Sequence, residues 1–213
     1  MSLLNKLLHF VILTSNTYKI DESHGLKHSM DVLQFAYKIF NAEKTNFPEI
    51  INHEKIIHIS AIVHDMCDKK YMNENEGISN IEEFLKTKIE PGELDIIKQI
   101  ISTMSYSKVK KHECFTYPDL GEYQMAYHIV READLLAAYD IDRCIIYQMY
   151  KSGDSFESSF DNASKLFDNR VLKHFDNNLF ITEYSKKEGR ILHEKSLNTI
   201  SLWQNILKNQ ISE

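Results

Sequence analysis

Residues Ile57–Tyr71 read IHISAIVHDMCDKKY. With Ile56 just before it, the first half crowds Ile57, Ile59, Ser60 and Val63 around one short helix, the mark of a helix buried at the centre of a fold. The apolar run stops at His64-Asp65, and Asp68-Lys69-Lys70 follow. Consecutive helical residues point about 100° apart, so His64 and Asp65 can share one ion only where the helix ends. A carboxylate at a helix C-terminus also opposes the macrodipole, a conflict that a metal ion or a lysine relieves. The stretch therefore predicts a buried central helix over 54–66 with a cation at its open end.

Working outward, apolar residues recur with a helical period and predict helices at about 2–15, 27–43, 54–66, 76–88, 92–106, 120–150, 154–168 and 184–210. Phe47-Pro48 closes the second, Pro91-Gly92 separates the fourth from the fifth, and Pro118-Asp119 precedes the sixth with Asp119 as a cap. Val32, Phe35, Ala36 and Ile39 line one face of the second helix. The chain has only 6 Gly and 3 Pro, too few for the turns of a β-sandwich. The expected class is all-α, one domain over residues 1–213, with a core at about 21–150 and helices in 154–213 packed on it. A chain of 213 residues buries enough surface for this without disulfides.

The formal net charge of −6 disfavours general nucleic-acid binding, which needs a basic face. Cys67, Cys114 and Cys144 are odd in number and form no CxxC pair, which points to free thiols in a reducing, cytoplasmic setting. The N-terminal run MSLLNKLLHFVILTS places Leu3, Leu4, Leu7, Leu8, Val11 and Ile12 at helical spacing and lacks a small-residue cleavage site after it, so it reads as an amphipathic helix. No apolar segment is long enough to span a bilayer, and no membrane partner is expected.

Three segments carry metal-capable side chains. DESHGLKHSMDV holds His24 and His28, VHDMCDKKY holds His64 and Asp65, and READLLAAYD holds Asp134. Val130, Ala133, Ala137 and Ile141 lie near the side of Asp134, which favours burial, and a buried lone carboxylate is costly unless paired. Singly, each residue also has an ordinary explanation: His64 as a core histidine bonded to a carbonyl, Asp65 as a turn residue, Asp134 as an exposed side chain.

Taken in order, the segments resemble the HD superfamily of metal-dependent phosphohydrolases. SHGLKHSMDV looks like the SHDxxHxxRV segment of a subgroup of small HD hydrolases. HDMCDKKY looks like its HD-x-x-D-x-K stretch, and YHIVREADLLAA like its VQDADRLDA helix. The resemblance implies an HD-type helical bundle in which His28, His64, Asp65 and Asp134 bind one divalent ion (Mn, Co, Ni, Fe, Zn or Mg). It also implies hydrolysis of nucleotides or related small phosphorylated compounds. There are departures. Asp31 stands where the subgroup has Arg, Met104 in ISTMSYS replaces a histidine, and Leu135 and Ala137 replace a polar pair.

In such chemistry the ion activates a water and polarises a phosphoryl oxygen, and fixed cations meet the charge on the transferring group. Lys69 and Lys70 are the candidate substrate-binding cations. Asp68, at i+3 from Asp65, is the candidate to orient or deprotonate water. His24 is the candidate contact or proton donor for the phosphate. SKVKKHE, with Lys108, Lys110, Lys111 and His112, is a second basic cluster that reads as a loop or as a grip on distal phosphates. Two other expectations compete. A di-iron oxygenase would draw extra ligands from His53, His58, His112 and His128, and a non-catalytic sensor would bind a nucleotide in the same pocket.

Overall fold

The computed structural model describes residues 1–111 and 114–209, and the chain is all-α apart from a two-residue-per-strand hairpin. His112 lies outside the described residues. The chain divides into two compact units, Met1–Asp134 and Leu135–Glu213.

The first unit contains α1 (Leu3–Tyr18), α2 (Leu26–Glu43), a 3₁₀ segment Pro48–His53, α3 (Glu54–Val63), α4 (Glu74–Leu85), α5 (Pro91–Thr103) and the single turn α6 (Tyr106–Val109). The antiparallel pair β1 (Lys110–Lys111) and β2 (Cys114–Phe115) follows, then α7 (Gln124–Ala137), within which the division falls. Helix α3 is central: it meets α1, α2 and α5. Ile56, Ile57, Ile59, Ser60, Ala61, Ile62 and Val63 are all buried. On α2 the inward face includes His28, Val32, Ala36, Ile39 and Phe40, so the apolar stripe that buries the helix also carries His28 inward.

Several helix ends differ from expectation by up to three residues, as at Tyr18, Leu85 and Thr103, and two differences bear on the site and on the division of the chain. The α-helix stops at Val63 rather than 66. Beyond it Met66 N–H donates to Val63 O (2.9 Å) and Asp68 N–H to Asp65 O (3.2 Å), i→i+3 bonds that tighten the turn after the helix, the first of them satisfying the carbonyl of the last helical residue. The single helix expected over 120–150 is two, α7 and α8 (Ile141–Ser152), parted at Asp140, whose side chain caps α8 by accepting from Arg143 N–H (3.2 Å). Apolar residues continue in phase across the break, which hides it from a periodicity argument. Asp119 is not a helix cap: it accepts from Gly121 N–H (3.0 Å) in a local Asx turn, and the 3₁₀ turn Gly121–Tyr123 that precedes α7 begins at Leu120 with no side-chain cap.

Helix α4 fixes the turn that follows His64-Asp65. Asn73 caps it by accepting from Asn75 and Glu76 N–H, and Gly77 then faces the turn with no side chain. A Cβ at Gly77 would lie 2.6 Å from Cys67 Cα and 2.8 Å from Met72 Sδ. Only glycine permits this approach of helix to turn backbone.

The second unit contains α8, α9 (Phe156–Asn169), a 3₁₀ turn Val171–Lys173 and α10 (Glu183–Lys208). Helix α8 packs on α9 and meets α10. Trp203 Nε1–H donates to Asp142 (2.8 Å), and Ser196 donates to the carbonyl of Tyr139 (2.6 Å). Among the described residues no helix is long and apolar enough to cross a membrane.

Candidate metal centre

His28, on the first turn of α2, and His64, at the C-cap of α3, point their Nε2 atoms at each other across 3.2 Å. The His64 Nδ1 atom is 2.9 Å from the carbonyl of Ala61. A carbonyl only accepts, so the hydrogen sits on Nδ1 and Nε2 is the metal-capable atom. This backbone anchor is the kind that orients metal-binding imidazoles.

Two carboxylates close the group. Asp65 Oδ2 lies 3.3 Å from His28 Nε2, and Asp65 Oδ1 lies 3.4 Å from His64 Nε2. Asp134 Oδ1, from α7, lies 3.3 Å from His28 Nε2 and 3.8 Å from His64 Nε2. Donors about 2.1 Å from one ion stand about 3.0–3.4 Å apart in octahedral or tetrahedral sets. The separations among His28, His64 and Asp65, and that of Asp134 from His28, have that scale; the 3.8 Å between Asp134 and His64 is wider. His28, His64 and Asp65 each offer a ligand atom within 4.8 Å of the others, enough to hold a metal ion. Asp65 Oδ2 is also buried without a hydrogen-bond donor, which a cation would remedy.

Electrostatics tell the same story in protons. Burial opposes a charge on His64, but Asp65 first and then Asp134 outweigh it and raise its pKa to about 9. Burial likewise opposes charge on Asp65 and Asp134; for Asp65 the charge and hydrogen bond of His64 outweigh it, and for Asp134 the His28 hydrogen bond and the His64 charge do, holding both below the usual carboxylate value. The raised His64 therefore stabilises the metal-free fold below its ordinary pKa near 6.5, and that contribution fades as pH rises toward about 9. The lowered carboxylates stabilise it above their ordinary range and lose that contribution as pH falls.

A divalent ion must displace this proton. Metal binding at neutral pH should release at least one proton per ion, and affinity should climb about tenfold per pH unit until about pH 9. Calorimetric titration in two buffers of different ionisation enthalpy measures the release. Proton-neutral binding at pH 7 would remove His64 from the donor set.

Of the other predicted site residues, His24, Asp68 and Lys70 come together. Lys70 Nζ lies 2.9 Å from His24 Nε2 and 3.4 Å from Asp68 Oδ2, and Lys70 N–H donates to Asp68 Oδ1 (2.9 Å). The His24 ring centroid is 6.1 Å from that of His28, so this trio adjoins the metal group. Lys69 is exposed on the turn. Lys108 is engaged elsewhere, with Glu74 and the Ser102 carbonyl, and Lys110 is exposed beside the Tyr106 ring.

The departures have structural homes. Asp31 pairs with Lys27, and Met104, Leu135 and Ala137 are buried. The His53 ring lies tilted against Tyr123 with centroids 4.4 Å apart, and burial, aided by Arg131, presses the His128 pKa down to about 3. Among the described residues no second metal-capable group includes them.

Asp21, Ser23 and Tyr71 escaped the sequence argument. Asp21 accepts from Ser23 N–H (2.9 Å), a local Asx turn that the spacing D-x-S advertises. Its bond from Tyr71 O–H (2.5 Å) joins distant segments and leaves no local signal. No protein-family model, no curated protein and no solved structure matches this chain.

Proposed function

We propose that the protein is a divalent-metal-dependent phosphohydrolase on an HD-type domain, acting on nucleotides or related small phosphorylated compounds. The observation that supports it is the Lys70 ammonium, held between His24 and Asp68 beside the group of His28, His64, Asp65 and Asp134. An imidazole–carboxylate set suits Mn, Fe, Co, Ni, Zn or Mg. A bound ion supplies Lewis acidity to a phosphoryl oxygen and to a water. Asp68 Oδ2 takes the proton of the attacking water. Lys70, with Lys69 beyond it, meets the negative charge of the transferring group.

The test is a screen of nucleoside mono- and triphosphates and simple phosphomonoesters with metal-stripped protein resupplied with Mn, Co, Ni or Mg. Turnover should require metal. Lys70→Ala should lower kcat/KM about 10²–10³-fold, as loss of a donor to developing charge does, and leave metal content unchanged. Equal activity in that variant would return Lys70 to a solvated turn. Melting shifts with nucleotides but no turnover would instead support a sensor. Two irons per chain with oxygen consumption would point to an oxygenase.

A further inference from the structure

The Lys70 side chain is half-exposed, yet its ammonium lies between partners from two separated segments, 21–24 and 68–71. The chain of contacts starts at Asp21. Asp21 Oδ1 accepts from the Ser23 hydroxyl at 2.5 Å, and Asp21 Oδ2 accepts from the Tyr71 hydroxyl at 2.5 Å. A hydroxyl has one hydrogen, and in both residues it is directed at this carboxylate. The two oxygens, now presenting lone pairs, lie 2.6 Å and 3.0 Å from His24 Nδ1. That nitrogen must therefore be the one bearing hydrogen.

With hydrogen on Nδ1, the neutral ring presents a lone pair at Nε2. Lys70 Nζ, which can only donate, sits 2.9 Å from it. A second ring hydrogen there would set N–H against ammonium. Of the three ammonium donors, one goes to His24 Nε2 and one faces Asp68 Oδ2 at 3.4 Å, which leaves a third for an incoming anion.

We infer that Asp21 is a positioning residue for Lys70, acting through the Ser23 and Tyr71 hydroxyls to fix the His24 tautomer that holds the ammonium ready for a phosphoryl oxygen. The carboxylate never touches the cation it orients. The inference rests on the phosphohydrolase function for the identity of the anion, and on the hydrogen-bond pattern alone for the relay.

Asparagine at position 21 reverses the pattern. Its amide nitrogen donates to one hydroxyl, whose own hydrogen then turns toward His24 Nδ1, and the ring hydrogen moves to Nε2, against Lys70. The experiment uses full-length, zinc-loaded protein. Ring ¹⁵N spectra, assigned with His24→Gln, report the tautomer, and titration with inorganic phosphate reports anion affinity. The wild type should show hydrogen on Nδ1 and a bare Nε2. Asp21→Asn should shift that pattern, weaken phosphate binding and lower kcat about 10–100-fold, as the loss of a partner that orients a site residue does, with zinc content unchanged. Tyr71→Phe, which removes one of the two links and keeps the ring packing, should show the same changes at smaller size and covers a failure of Asp21→Asn to fold. An unchanged ring spectrum in both variants overturns the relay. A shifted spectrum with unchanged phosphate affinity and turnover overturns the role of Asp21 in positioning Lys70. A wild type that neither binds phosphate nor turns over phosphomonoesters overturns the functional premise, and the ring spectrum then decides the relay by itself.

Discussion

Asp65→Asn should strip the metal and the activity together, whereas Asp68→Asn should keep the metal and lose rate. Asp65 places one oxygen 3.3 Å from His28 Nε2 and the other 3.4 Å from His64 Nε2. Asparagine removes the negative charge and turns an NH₂ group toward the place of the ion. Metal bound to the folded chain stabilises it by about 2.7 kcal/mol at a hundredfold excess over Kd, which for a chain of this size is roughly 5–10 °C in Tm. That rise should vanish in Asp65→Asn and in His64→Ala. Asp68 instead binds the main chain and ammonium of Lys70, so Asp68→Asn should drop kcat by about 10²–10⁴-fold, the usual span for a general base. Elemental analysis beside steady-state kinetics separates the two. Loss of metal in Asp68→Asn would make Asp68 a ligand and the assignment of four wrong.

Glu132→Ala should destabilise the first unit by about 3–5 kcal/mol, the cost of breaking a buried ion pair. Arg131 and Glu132, neighbours on α7, are 1% and 0% exposed, with Arg131 Nη2 3.2 Å from Glu132 Oε1. Truncating Glu132 removes the carboxylate 3.2 Å from Arg131 Nη2 in a place water does not reach. The arginine also stacks over the Tyr117 ring at 4.6 Å, a contact that survives the substitution but carries no countercharge. Denaturant titration followed by a probe in the first unit measures the loss. A change below about 1 kcal/mol would mean that the Arg131 charge is balanced chiefly by other partners.

How much was legible beforehand follows from the range of each interaction. The burial of α3 and the turning of His28 inward on α2 were readable, because both follow from which residues fall on one face of a helix. That His64 and Asp65 stand at a helix end was readable for the same reason. The tightening of that end into i→i+3 bonds was not, since Met66 and Cys67 are apolar and continue the pattern. The division of α7 from α8 was hidden likewise, with Asp140 the one local sign. The choice of Lys70 over Lys69 for the place beside His24, and the involvement of Tyr71 with Asp21, depend on contacts between segments some fifty residues apart. Spacing along one helix carries no trace of such pairs.

Gly77 takes no part in any of this chemistry, yet it shares the fate of the residues that do. The turn bearing His64, Asp65, Asp68 and Lys70 rests its backbone on a position where even a methyl group has no room. Heritable variation in the pocket is thereby narrowed from outside. A lineage can exchange a ligand or a lysine one at a time, but it can move the turn only if α4 moves with it, so drift in the site's shape must pass through a residue that is defined by the atoms it lacks.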